Sequence, residues 1–504
     1  MGRHPAHALS ARVLLIAAIS VAFPGYGQNF TGRWAAQGNA MDNGESQKLI
    51  LELTQSGRIL TGRLISFGGR VNVTGTVTDT HFELMGVGWA DQKPFLSGDL
   101  VHGELRGKRW DEAFVARPAT AADEFPKVAY IEPPAPHNVP YNGLAKTPPM
   151  GWNSWNRFAE KIDDRTVREI ADAMVASGMR DAGYVYVNID DTWQGLRDAN
   201  GALRSNRKFP DMKGLADYLH SKGLKLGLYS SPGPRTCAGY PGSYGHEEQD
   251  ARTFAAWGVD YLKYDWCSAD DIYSRDAMHA VYQKMGDALS ATGRPIVFSL
   301  CTYGWGGVEQ WGASAGGNLW RTTDDINDSW QSMVLNAESQ VKAAAHARPG
   351  HWNDPDMLEI GNRDMTDEEF AAHRSDLGGI SASAQRTHMT DTEYRTHMSL
   401  WALSAAPLLA GNDIRGMSDA TREILLNTEV IAIDQDRLGL QAVPTRNGDL
   451  ETWIKPLHDG GVAVGVVNLG SAAAQVTINS SDLGLKGSVK MGRDLWRHAG
   501  VTFT

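Results

Sequence analysis

Tyr184-Val185-Tyr186-Val187-Asn188-Ile189-Asp190-Asp191 and, a helix-length further on, Leu224-Lys225-Leu226-Gly227-Leu228-Tyr229 decide how the chain is read. Each is a short, mostly apolar run, the pattern of a strand covered on both faces. Residues 259–264 and 296–301 repeat it, again with room for a helix between them. The helices are legible too. Asp163 or Asp164 can cap one whose Val167, Ile170, Met174 and Val175 share a face, with Gly178 ending it. Met212, Leu215 and Leu219 share a face of the next, ended by Gly223. Repeated βα units across residues 146–437 predict a (β/α)8 TIM barrel. A doubly wound sheet fits less well, because no G-x-G-x-x-G follows the first strands.

The flanks read differently. Residues 28–118 look all-β: Leu49-Ile50-Leu51-Glu52-Leu53 ends at Ser56-Gly57, and residues 60–65 and 71–77 alternate around Gly68-Gly69. A small sandwich or barrel is expected there, as a sugar-binding module or a structural cap. Seven of the 21 prolines fall in residues 126–149, so residues 119–145 are expected to be an extended linker. Residues 438–504 read as a second small β domain, with strands at 450–454, 462–467 and 474–478. At the other end, Arg3 and Arg12 flank a mostly apolar run at 13–23, and Gly25-Tyr26-Gly27 follows. That is the pattern of a signal peptide cut before Gln28, and it predicts a secreted or periplasmic protein.

Composition removes other classes. The chain has 504 residues, 42% hydrophobic and 21% charged, which describes a folded globular protein. No apolar run reaches the 18 or more residues of a membrane span. The net charge of −11 and the lack of a dense Lys/Arg run argue against a nucleic-acid partner. Three Cys allow at most one disulfide.

A parallel barrel works at the C-terminal ends of its strands. Those ends carry Trp152, Asn153 and Trp155; Asp190 and Asp191; Tyr229; Lys263, Asp265 and Cys267; Cys301 and Thr302; Arg321, Asp324 and Asp325; and Trp352, Asp354 and Asp356. Any one Asp there could simply cap a helix. Together they are harder to explain that way. Lys263 and Asp265 stand two apart and so share a strand face. No H-E-x-x-H or Cys/His spacing points to a metal, and no Walker or dinucleotide loop points to a cofactor. The string Gly312-Ala313-Ser314-Ala315-Gly316 lacks the preceding apolar strand of a nucleophile elbow. Carboxylates with aromatic platforms remain, the equipment of glycoside hydrolysis.

Five stretches carry a family resemblance: Met150-Gly151-Trp152-Asn153-Ser154-Trp155, Thr236-Cys237-Ala238-Gly239-Tyr240-Pro241-Gly242-Ser243, Tyr261-Leu262-Lys263-Tyr264-Asp265-Trp266-Cys267, Trp320-Arg321-Thr322-Thr323-Asp324-Asp325-Ile326 and Trp352-Asn353-Asp354-Pro355-Asp356-Met357-Leu358. Across about residues 146–495 the chain resembles the α-galactosidases (melibiases) of glycoside hydrolase family 27. That family also holds α-N-acetylgalactosaminidases, β-L-arabinopyranosidases and isomaltodextranases. The resemblance implies a retaining double displacement with Asp265 as nucleophile and Asp325 as acid/base. It implies a galactose pocket of Trp155, Asp190, Asp191, Tyr229, Lys263, Arg321 and Asp356, with Asp190 and Asp191 on the 4- and 6-hydroxyls and Lys263 on the 3- and 4-side. The implied substrate is an α-galactoside oligo- or polysaccharide, with no cofactor and no metal. A retaining pair needs its carboxyls about 5–5.5 Å apart, and Lys263 can keep Asp265 ionised. Intact Asp265 and Asp325 argue against a non-catalytic sugar-binding protein.

Four features depart from the family pattern. Thr302 stands where many α-galactosidases carry a Glu that contacts the 2-hydroxyl. Residues 365–373 are echoed by 389–397, which lengthens the loop after the seventh strand. The C-terminal domain stops early, so it is expected to be open or the chain incomplete. The N-terminal β domain lies outside the minimal architecture. A single disulfide, Cys237–Cys267, is expected because neighbouring strand ends bring the two together, which leaves Cys301 free.

Overall fold

The computed structural model describes residues 29–87, 94–109, 112–364, 388–484 and 491–502. The expected leader and residues 365–373, the first copy of the repeat, lie outside the described residues.

The N-terminal module is a closed barrel of eight antiparallel strands in sequence order, from Gly32–Ala40 to Glu112–Pro118. The first strand pairs with both its neighbours, Trp34 opposite Leu51 on one side and Pro118 on the other, which closes the ring. Alternation explains its filling. Leu49, Leu51 and Leu53 of Ser46–Ser56 turn inward and pack with Leu60, Val73, Phe82, Leu84 and Leu105 in one core.

The linker after it is extended but tied down at intervals. Ile131 N–H donates to the Tyr244 hydroxyl, His137 N–H to Gln283 Oε1, and Val139 N–H to the Ser314 carbonyl. Asn142 Nδ2 then donates to the Ile296 carbonyl and to Asn318 Oδ1, both at the start of barrel strands. The linker therefore runs as a strap from the loops beyond the strands to the opposite end of the barrel.

Eight parallel strands follow: Met150–Asn153, Tyr186–Asn188, Lys225–Ser230, Tyr261–Asp265, Val297–Cys301, Leu319–Arg321, Trp352–Asp354 and Leu408–Ala410. The first seven pair each with the next, and the eighth returns to the first with Leu408 opposite Met150. Between the seventh and eighth the ring closes through Leu358, whose N–H donates to the Leu409 carbonyl (2.8 Å) while its carbonyl accepts from Gly411 N–H (3.0 Å). The helices follow the sequence signals. Asp163 caps Asp164–Ala176 by accepting from Thr166 N–H, and Val167, Ile170 and Met174 are buried. Asp211 caps Met212–Ser221 over buried Met212, Leu215 and Leu219. The second copy of the repeat opens Asp391–Leu403 with a reciprocal capping box between Thr390 and Glu393.

At the C-terminus Val443–Asn447, Leu450–Pro456 and Val462–Asn468 form an antiparallel sheet, and Met491–Asp494 pairs with Ala499–Thr502. Residues 474–478 were expected to be a strand and are not: among the described residues nothing pairs with them, and Val476 is exposed. Alternation makes a strand only where a partner ladder and a face to bury exist. Buried Trp453 and Lys455 Nζ, which donates to the Ala402 carbonyl (2.9 Å), fix this module to the barrel.

Candidate active site

The strand ends converge on a mouth rich in carboxylates. Asp190 is its most connected member. Its Oδ2 accepts from Lys263 Nζ and from Asn153 Nδ2, both at 2.8 Å, and its Oδ1 accepts from Asp191 N–H at 2.9 Å. Lys263 and Asp265 share a strand face as their spacing implied, yet the Lys263 hydrogen bond goes across to the second strand rather than to Asp265. Burial works against the Lys263 charge, but Asp190 and the other anions hold its pKa well above the ordinary lysine value.

Asp265 is buried, and the Tyr229 hydroxyl donates to its Oδ2 at 3.1 Å. Its Oδ1 has no hydrogen-bond partner among the described residues. Burial pushes the carboxyl up to about 6; Lys263 opposes the rise and Asp325 adds to it. Asp325 comes from the loop after the sixth strand and is partly open to solvent. Arg321 holds its Oδ1 at 2.9 Å and reaches Asp356 Oδ1 at 3.1 Å with its other nitrogen. One guanidinium thus spaces two carboxylates, a task suited to its planar fork. Asp356 sits at φ +85°, a conformation that non-glycine residues seldom adopt, and its Oδ2 accepts from Ile326 N–H at 2.8 Å.

Asp191 is buried and anchored by backbone: Oδ2 accepts from Ala238 N–H (2.8 Å) and Oδ1 from Thr192 N–H (2.7 Å). Burial lifts its carboxyl to about 7 against these hydrogen bonds. Trp155 is half-buried at the first strand's end, with its N–H held by Asn153 Oδ1 at 2.8 Å. Cys237 and Cys267 are joined in a disulfide with Cα atoms 5.0 Å apart, and Cys301 is free and buried. The disulfide touches the site: Tyr229 Oη lies 3.4 Å from Cys267 Sγ and Tyr303 Oη 3.9 Å from Cys237 Sγ.

Three further residues contribute, of which Asn153 and Asp354 stand at strand ends noted in the sequence without an assigned role and Tyr303 was not counted among the site residues. Tyr303, at φ +55°, lays its ring 5.6 Å from the Arg321 guanidinium, and its hydroxyl favours the ionised form of Asp265. Asp354 is buried with its carboxyl lifted to about 6, burial outweighing Arg321, and it accepts from Asp356 N–H at 2.9 Å. Asn153 braces both Asp190 and Trp155. The signal for Asn153 and Asp354 was their place at strand ends. Tyr303 lies two residues past the end of the fifth strand and could have been found the same way.

The chain matches the family described as Alpha galactosidase A over residues 147–385 and 386–436, and an Alpha galactosidase C-terminal beta sandwich domain over residues 447–504. The α-galactosidase of Cyamopsis tetragonoloba is 50% identical over 364 residues, 71% of this chain and 82% of that protein. A solved structure from Bacteroides fragilis, 34% identical with a TM-score of 0.66, aligns over 94% of this chain and 88% of its own. The α-galactosidase of Saccharomyces cerevisiae solved with raffinose is 31% identical, with a TM-score of 0.61, over 71% of this chain and 83% of its own. By these matches, laid over a barrel mouth that carries the same motifs, the chain belongs to the α-galactosidase (melibiase) family, glycoside hydrolase family 27.

Proposed function

We propose that the protein is an exported, retaining α-galactosidase that removes terminal α-linked galactose from oligo- or polysaccharides. The observation that carries this reading is the Asp265 carboxylate. One oxygen accepts from Tyr229, the other has no hydrogen-bond partner among the described residues, and Asp325 stands on the loop after the sixth strand, held by Arg321. In the first step Asp265 Oδ1 attacks the anomeric carbon while Asp325 gives its proton to the departing glycosidic oxygen. In the second, water attacks the galactosyl–Asp265 ester, Asp325 takes the water's proton, and Asp265 leaves as carboxylate. Asp190, Asp191 and Lys263 grip the sugar hydroxyls, and Trp155 walls the pocket. Export is supported by the leader pattern and by the disulfide, which belongs to an oxidising compartment.

At the 2-position Thr302 is fully buried, and Tyr303 with Trp305, ring centroids 5.0 Å apart, occupies the wall next to Arg321. That favours galactose over its bulkier 2-acetamido analogue. The test compares release of p-nitrophenol from the α-galactoside, the α-N-acetylgalactosaminide and the β-L-arabinopyranoside, with NMR of the first-formed sugar. The α-galactoside should give the highest kcat/KM and yield α-galactose first. A preference for either other substrate, or β-galactose as first product, overturns the reading.

A further inference from the structure

The N-terminal barrel touches the catalytic module at the loop that carries Cys237. Glu45 forks onto Arg235, at 2.5 and 3.0 Å, and Arg235 also donates to the Gly239 carbonyl at 3.2 Å. The same guanidinium lies 4.3 Å from the Phe67 ring. Gly68 is so close that a Cβ there would fall 1.9 Å from the Cys237 carbonyl oxygen, so the two backbones meet without space for water. Between Cys237 and Gly239 sits Ala238, whose N–H holds Asp191. A second line runs to the other side of the same carboxylate. Asp42 pairs with Arg207 at 2.7 Å and Lys208 at 3.0 Å, and Lys208 Nζ donates to Thr192 Oγ1 at 3.1 Å. Thr192, whose N–H is the other donor to Asp191, sits at φ +80°. A β-branched residue persists in that region only where its surroundings hold it. Asp42 N–H also donates to the Tyr240 hydroxyl at 3.3 Å.

We propose that the N-terminal barrel is a structural wall of the sugar pocket, in which Glu45, Gly68 and Asp42 act as positioning residues that set the two backbone donors of Asp191 and so the grip on galactose. This rests on the galactosidase reading above. It replaces a tethered module with one that acts on substrate binding: two independent contacts, through residues 235–239 and through Lys208, end on the N–H groups either side of one buried carboxylate. Burial opposes ionisation of Glu45 and of Asp42, and their basic partners overcome it, holding both carboxyls below the ordinary range.

The test is steady-state kinetics on the full chain with p-nitrophenyl α-galactoside. Asp42→Asn combined with Glu45→Gln should raise KM about tenfold while kcat changes less than about threefold, the signature of lost ground-state binding. Gly68→Ala, which leaves every charge in place, should do the same. Arg106→Ala, whose partner Glu104 lies within the N-terminal barrel, should leave both constants unchanged. In an Asp191→Ala background the paired substitution should move KM by less than about twofold, because the contact it serves has gone. Wild-type KM in both the paired variant and Gly68→Ala overturns the proposal alone, as does a KM effect of full size in the Asp191→Ala background. A wild-type protein that leaves the galactoside intact overturns the galactosidase reading, and the proposal falls with it.

Discussion

At the scale of single residues, Asp265 and Glu359 make separable predictions. Asp265→Asn should lower kcat by more than a hundredfold, over about 2.7 kcal/mol of barrier, while galactose still binds. Retained turnover above that level removes Asp265 from its role. Glu359 lies near Asp356 and is buried, with its two oxygens accepting from Asn156 and Asn362. Burial, helped by Asp328, lifts its carboxyl from 4.5 to about 8. The folded protein therefore keeps a proton that the unfolded chain releases near 4.5. Its contribution to stability is complete below that pH and is lost as pH rises through about 8. Glu359→Gln cannot ionise, so its Tm should fall less between pH 5 and pH 8 than the wild-type Tm. Equal slopes would contradict the shift. Thr302→Glu adds an acceptor beside the 2-position, so the kcat/KM ratio of galactoside over N-acetylgalactosaminide should rise; an unchanged or falling ratio places residue 302 away from that hydroxyl. Lys263 and Asp265 were legible because a two-residue spacing fixes a strand face. The donors to Asp191 were not, because a backbone N–H carries no side-chain signature.

At the scale of elements, the long signals were the readable ones. Helix Asp164–Ala176 announced itself through its apolar stripe and a capping Asp at 163 or 164; the structure uses Asp163, and Asp163→Ala should cost about 1 kcal/mol, read as a lower denaturation midpoint. No change would mean that the cap is redundant. The first, second, sixth, seventh and eighth barrel strands pair over only three or four residues each, and of these only the second lies in an apolar run long enough to read. The first, sixth and seventh were placed through the polar residues at their ends. Closure through Leu358 was invisible for another reason: it depends on two hydrogen bonds from a residue outside any strand. The disulfide was inferred from the adjacency of strand ends, and the structure joins the same pair. It closes a loop spanning 30 residues, so reduction or Cys267→Ser should cost roughly 3–4 kcal/mol in the chain-entropy picture. Non-reducing peptide mapping that pairs Cys301 instead would refute the assignment.

At the scale of the molecule, the strap and the contacts of Asp42, Glu45 and Arg70 make one body of the N-terminal and catalytic barrels. Composition and prolines foretold an extended linker between separate domains and missed this, because the contacts fall between segments far apart in sequence. Scanning calorimetry should show the two barrels melting in one endotherm; two resolved transitions would show them to be independent. The closed N-terminal ring has a further consequence, for the order in which a chain emerging N-terminus first takes shape. All its pairings join successive strands apart from the last closure, by Ala36 opposite Ala116, so it is complete once residue 118 is free. The catalytic barrel cannot close until Leu408–Ala410 reaches Met150–Asn153. Through that interval its parallel sheet has open edges, the state most exposed to pairing with another chain. The finished ring already presents Glu45 and Gly68 to residues 235–239 as they appear. An early-folding neighbour thus offers the slow barrel a docking template for its third and fourth strand loops, and a mutation that loosens this face would lower the yield of folded protein before it altered the folded protein itself.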